Sequence, residues 1–263
     1  MTIATLDQYI AAVKEVETWV KGASITTVAG VPFTVFDQVG QPGAGALAIG
    51  NTAAGIVPVD TDAGYPIIAS FGGAVGYFSG IDFGGSVACR IMLFDRLFAA
   101  GAYAFNADVT LAAQPSYAGR VPGAPNYNGL QIWVEHVTAF TLNPSFQINY
   151  LDQDGFAGDS GVFAEIPASL LIRRACQIPL APGDSGVSQI VRVRCTVASA
   201  GTFNVMVLRP LWAGRVPVGN SGDIHDFLRT GLPQIYDTSA LYVLIAADST
   251  VSGYPGLQIE IAH

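Results

Sequence analysis

The chain has 263 residues, of which 12% are Asp, Glu, Lys or Arg, against roughly a quarter in an ordinary soluble domain. Hydrophobic residues make up 51%, yet Gly, Pro, Asp or Asn interrupts every apolar run before about 18 residues, so a helical membrane span is excluded. A net charge of −8 offers no basic face, so neither direct nucleic-acid binding nor a membrane contact is expected.

Residues 1–22 read as a separate N-terminal arm. The first Lys, at position 14, follows Asp7, so the basic start and apolar run of a secretory signal are missing and no Sec export is expected. Thr5-Leu6-Asp7-Gln8 has the form of a capping box. Leu6, Ile10, Val13, Val16 and Val20 recur at helical spacing up to Gly22, predicting one amphipathic helix over 5–21 that carries both lysines.

Residues 23–85 read as an extended Gly/Ala/Pro-rich segment with short strands, Val31–Asp37 among them. The part from Gln38 to Gly85 is long and weakly patterned, which fits a segment lying against a neighbouring subunit.

Residues 86–263 read as an antiparallel β body. Strands are predicted at Ser86–Phe94, Ala107–Ala112, Leu130–Val137, Ser145–Leu151, Ser169–Arg174, Gln189–Val197, Thr202–Leu208, Ala240–Ala247 and Leu257–Ala262. In Ser145–Leu151, Phe146, Ile148 and Tyr150 alternate with polar residues, as a half-buried antiparallel strand requires. Without βα alternation the fold class is mainly β: an antiparallel sandwich or jelly-roll-like body with one N-terminal helix and an extended arm. Tyr127–Ile132 is echoed by Tyr254–Ile259, and Ala118–Pro122 by Ala213–Pro217, which would mean two similar β units if the echo reflects duplication.

The search for chemistry comes up empty. Cys89, Cys176 and Cys195 form no CxxC pair and leave one over in any disulfide scheme. With only His136, His225 and His263 there is no basis for a zinc or histidine metal centre. Gly158-Asp159-Ser160-Gly161 and Gly183-Asp184-Ser185-Gly186 resemble the nucleophile context of chymotrypsin-like serine proteases. That family's upstream Ala-Ala-His is absent, and Val stands after each tetrapeptide where the family has Gly. Asp152, Asp154 and Asp159 suggest a calcium loop, but its twelfth position is Phe163 rather than Glu. A loose cation site there stays open, as does a glycosidase pair among Glu135, Glu165 and Glu260. No phosphate loop is present. The expectation is a non-enzymatic protein with no catalytic residue, cofactor or metal.

Arg192 and Arg194 share one face of a strand. The excess of Arg over Lys suits protein contact surfaces. A chain of this size exposes on the order of 11,000 Å², over which so few charges are thinly spread. Covered lateral surface would account for this. Trp19, Arg120, Trp133, Arg192, Arg194 and Arg215 are the candidate interaction residues.

Leu142–Ser160, with Asn149-Tyr150-Leu151-Asp152-Gln153-Asp154-Gly155-Phe156-Ala157-Gly158, resembles a strand–turn segment of virion structural proteins of tailed bacteriophages. Leu232–Ala240 and Gly256–Ile261 are similar to the end of the same proteins. Asp159-Ser160 stands where the resemblance implies a basic residue. The resemblance implies a capsid cement, decoration or shell protein. Its partners would be copies of itself, as a trimer or higher symmetric oligomer, and other capsid proteins, with assembly in the host cytoplasm and residence in the virion. The alternative is a tail or spike β-sandwich that binds a host-surface glycan through aromatic residues such as Trp133 with Tyr127.

Overall fold

The computed structural model describes residues 3–22, 25–49, 52–123, 126–164, 171–195, 197–253 and 255–263. The chain opens with helix α1 (Leu6–Ala11) and strand β1 (Lys14–Lys21), then β2 (Ile25–Thr26), β3 (Pro32–Thr34) and β4 (Gly40–Gln41). An irregular stretch leads to β5 (Gly76–Gly85) and β6 (Cys89–Ala104). The middle supplies β7 (Val109–Thr110), a 3₁₀ turn at Ala118–Arg120, β8 (Gln131–Thr138), β9 (Ser145–Asp152), β10 (Ala157–Asp159) and β11 (Phe163–Ala164). After β12 (Ala175–Ile178) come β13 (Val187–Cys195), β14 (Thr202–Val216) and β15 (Ser221–His225). The chain closes with α2 (Phe227–Thr230), β16 (Gln234–Ile235), β17 (Leu241–Ala247), β18 (Ser252–Gly253) and β19 (Pro255–Ala262).

The expected antiparallel β architecture is present. Three sheets carry it, in the orders β15-β5-β19-β1-β4, β10-β9-β13-β7 and β12-β8-β14-β6-β17-β3. The third is central, because β6 and β14 pair along nearly their whole length, from Thr202 opposite Ala104 to Val216 opposite Cys89. It curls until its edges meet: Phe33 bridges Arg174, and the Thr34 amide donates to the Arg173 carbonyl oxygen at 2.9 Å. Strand alternation then sorts side chains to the outside or the inside of the curl.

Outside, Ile91, Leu93, Val243 and Ile245 pack under the first sheet against Trp19, Phe83, Ile259 and Ile261. Further along, Val134, Val205 and Val207 pack against Phe146, Ile148, Ile190 and Val193 of the second sheet. Inside the curl, Met92, Phe94, Trp133, Met206, Leu208 and Tyr242 form a third cluster, joined by Phe36 and Tyr65. Gly64 lies so close to the Phe36 ring, at φ +100°, that a Cβ would sit 2.5 Å from it.

Two expectations need correction. The predicted helix over 5–21 is only six residues long; its capping box of Thr5 and Gln8 is present, but Lys14–Lys21 is a strand inside a sheet. The ladder from Lys14 opposite Ala262 to Val20 opposite Gly256 overrides the helical spacing. The strand's polarity is inverted: Trp19 and Lys21 are buried, whereas Val16 and Val20 face outward. The second concerns Gln38–Gly85, read from the sequence as an extended, weakly structured stretch. Tyr65, Ile68 and Phe71 instead bury themselves in this chain's own cores, and the segment ends in the ten-residue strand β5.

Of the other predicted elements, Ser169–Arg174 lies partly outside the described residues, and its described part precedes β12 as turn. Of the sequence echoes, Ala118–Arg120 is a 3₁₀ turn while Ala213–Val216 is strand, so these two copies do not share a backbone. Tyr254 of the other echo is outside the described residues.

Between the two outer cores, β6 places adjacent charges on opposite sides of its sheet. Asp95, fully buried, accepts from Arg120 at 3.0 Å and Arg209 at 3.1 Å, from the Ser239 hydroxyl at 2.9 Å and from the Ala240 amide at 3.2 Å. Arg96 points inside the curl, 3.7 Å from buried Glu135 and over the ring of Tyr242. Glu135 also accepts from the Tyr242 hydroxyl and from the Asn204 amide. Asp95→Asn would leave two buried guanidiniums without their carboxylate, a loss of about 3–5 kcal/mol. Thermal unfolding should show a midpoint roughly 10 °C lower, whereas Asp248→Asn, at an exposed pair, should cost less than about 1 kcal/mol.

Candidate interaction surface

Helix α1 contributes no buried residue. It is held by its capping box, by the Val13–His263 backbone pair, and by Tyr9, whose ring lies 4.4 Å from Phe227 of α2. The Tyr9 hydroxyl donates to Glu260 at 2.8 Å, and the Ser79 hydroxyl donates to the same oxygen at 2.8 Å. Burial, then the bond to Glu260, pushes Tyr9 up to about 12, so it remains a donor throughout the physiological range. α2 is capped by Asp226 and ended by Gly231 in the left-handed region.

Between the two helices runs an apolar groove of about 590 Å³, lined by Ile3, Leu6, Tyr9, Phe227, Leu228 and Leu232. Leu6 is 58% exposed, Ile10 66% and Leu228 77%. A second recess of about 400 Å³, with Ala11, Val13 and Phe71, borders α1 elsewhere. Val13 and Val16 on the following residues are exposed as well. A six-residue helix lying on a sheet and open along its flanks leaves apolar surface that a lone soluble chain ordinarily covers.

Beneath this region, β1 carries two ionisable features that its hydropathy conceals. The buried ammonium of Lys21 donates to the carbonyl oxygens of Phe36, Gln38, Pro42 and Gly43, at 3.5, 3.3, 2.9 and 3.1 Å, and so ties the turn around β4 to the sheet. Burial pushes Lys21 down to about 8, with Asp37 opposing. Glu15 and Glu17 share a face; burial, then the neighbouring Glu15 carboxyl, pushes Glu17 up to about 7. Glu15 also accepts from the Ala69 amide at 2.8 Å.

The six sequence-selected residues do not converge. Trp19 is buried in the core under the first sheet, and Arg120 is buried on Asp95, so neither offers its side chain to a partner. Arg192 and Arg194 lie on one face of β13, as the alternation predicts, and both pair with Asp108, which the Cys195 amide, then the two arginines, hold below the usual carboxylate range. Arg215 is exposed and pairs with Asp248 at 2.9 Å. Trp133 lines the open end of the curled sheet, only 4% exposed, and Tyr127 meets Tyr117 edge to face instead, so the pair forms no platform. Sequence reading missed Leu6, Ile10 and Leu228 as exposed apolar residues because it assigned the first two to a packed helical stripe. Asp226 with Gly231 was the available signal for α2.

The other motifs are used locally. Asp152 accepts from the Asp154 and Phe156 amides, both at 2.8 Å, and closes the β9–β10 turn. Asp159 accepts from Gln147, Asn149 and the Gly161 amide. The Ser160 hydroxyl accepts from the Ile148 amide and donates to the Gly161 carbonyl oxygen, and Ser185 donates to Asn128. No group of His, Cys, Asp and Glu among the described residues is arranged to hold a metal. Glu135 is locked in the interior network, Glu260 accepts from Tyr9 and Ser79, and Glu165 lies outside the described residues. Among the described residues no helix is long and apolar enough to cross a membrane. No protein-family model and no curated protein matches the chain.

The carboxyl pair on β1 gives a pH signature. With Glu17 raised in the folded state, the fold holds a proton that the unfolded chain has released between about pH 4.5 and 7, so stability falls as pH rises through that window. The unfolding midpoint should decline across it, and Glu17→Gln should flatten that part of the profile; an unchanged slope in the variant would contradict the assignment.

Proposed function

We propose that this chain is a non-enzymatic structural component of a bacteriophage virion: a capsid cement, decoration or shell protein with a jelly-roll-like body, assembling through symmetric contacts between copies. The observation that carries the reading is the exposed apolar surface of α1 and α2: Leu6 and Leu228 line an open groove, Ile10 lies outside it on the same helix as Leu6, and all three are more than half exposed. Burial against another subunit removes such surface from water at about 25 cal/mol per Å².

Two further features support it. Lys21, Arg96, Arg120, Arg174, Arg209, Asp60, Asp95, Glu135 and Asp152 are buried, which thins an already sparse surface charge. Leu142–Ser160, which resembles tailed-phage virion proteins, forms the β9–β10 hairpin, whose turn carries the 71%-exposed Phe156. The glycan-binding alternative finds less support. A sugar platform needs an open aromatic face, and Trp133 is covered, with Phe94 against it at 5.7 Å.

The purified chain should sediment as a trimer or higher symmetric oligomer at micromolar concentration. Ile10→Asp with Leu228→Asp should give a monomer with an unchanged circular dichroism spectrum and unfolding midpoint. A wild-type chain that stays monomeric at high concentration and never associates with particles would overturn the proposal.

A further inference from the structure

The curled central sheet has one open end, and its lining is chemically lopsided. Met92, Phe94 and Trp133 form the floor of a recess of about 570 Å³, while Arg90, Gln131 and Gln177 stand around it; no acidic side chain among the described residues lines it. The volume falls in the range of small-molecule sites, roughly 300–1,000 Å³, and the mouths of β-barrels are a usual place for them.

The charge pattern at the rim specifies the ligand. In the β6–β14 ladder Arg90 stands directly opposite Arg215, and like charges facing across a strand pair repel. Asp248 neutralises Arg215 at 2.9 Å. Arg90 is exposed, and its side chain has no hydrogen bond or ion pair among the described residues, although the guanidinium carries five donors. Of the two facing guanidiniums, only that of Arg215 has a carboxylate partner, and the one that lacks it, Arg90, lines the apolar recess.

We propose that this mouth binds an amphipathic carboxylate of medium chain length, its tail against Met92, Phe94 and Trp133 and its head group on Arg90. A guanidinium engages a carboxylate through two parallel N–H···O bonds. An alkyl tail needs no open ring face, so the covered Trp133 that cannot serve as a sugar platform can still line the site. The inference rests on the curled sheet alone and is independent of any role in a virion.

Decanoate titrated into the full chain tests it. Trp133 and Trp212 both line the recess, so tryptophan fluorescence reports occupancy and calorimetry gives the stoichiometry. Decanoate is expected to bind one per chain, at least about tenfold more tightly than decyltrimethylammonium. Arg90→Gln, at an exposed position, should weaken decanoate about tenfold and leave decanol unchanged. Ala246→Phe, which fills the recess, should abolish binding of both while preserving the unfolding midpoint. Absence of decanoate binding, equal affinity in Arg90→Gln, or undiminished binding in a folded Ala246→Phe would each overturn the proposal.

Discussion

Asp95 carries its charge out of water in the middle of the sixteen-residue strand β6, held by Arg120 from the 3₁₀ turn and Arg209 from β14. Two guanidiniums on one carboxylate fix the register of the two longest strands and tie the connection before β8 to the central sheet. Arg120 also donates to the Arg96 and Thr238 carbonyl oxygens, so the same residue closes backbone groups that the curl takes out of solvent. Its neighbour Arg96 does the corresponding work on the inner side with Glu135, Tyr65 and Tyr242. The sheets that pack above and below this layer depend on it, because it marks where the apolar outer surface of β6 passes from one core to the other.

That layer also explains what could be read from the sequence and what could not. The strand predicted at Ser86–Phe94 stops where Asp95-Arg96 breaks the apolar run, and the one at Thr202–Leu208 stops at Arg209-Pro210. In the structure both continue, to Ala104 and Val216, because those charges neutralise one another. A one-dimensional pattern cannot show a partner that arrives from a strand more than a hundred residues away. By contrast, Ser145–Asp152 and Leu241–Ala247 were legible, since their alternation or continuous apolarity needed no such partner. β1 was misread for a related reason: a strand that buries lysine and turns valines outward mimics an amphipathic helix. The candidate contact surface was legible only as a composition, a shortage of charge, and not as residues.

The shortage of charge acquires a physical meaning. A large share of the ionised groups works inside the chain, where their net stabilisation is small but their geometric demands are strict. Interior charge therefore specifies the curl, and the exterior is left with exposed apolar groups, among them those of α1, the outer face of β1 and α2. The most specified part of the molecule is its centre, and the least self-sufficient is its N-terminal helix, which buries nothing of its own.

Hydrogen exchange mapped along the isolated chain tests this division most directly. Amides of β6 and β14 flanking Asp95 and Arg209 should be the slowest to exchange, opening only with global unfolding, while those of α1 should exchange orders of magnitude faster. Slow exchange of α1 in the free monomer, or opening of β6 around Asp95 before the outer sheets, would contradict the account.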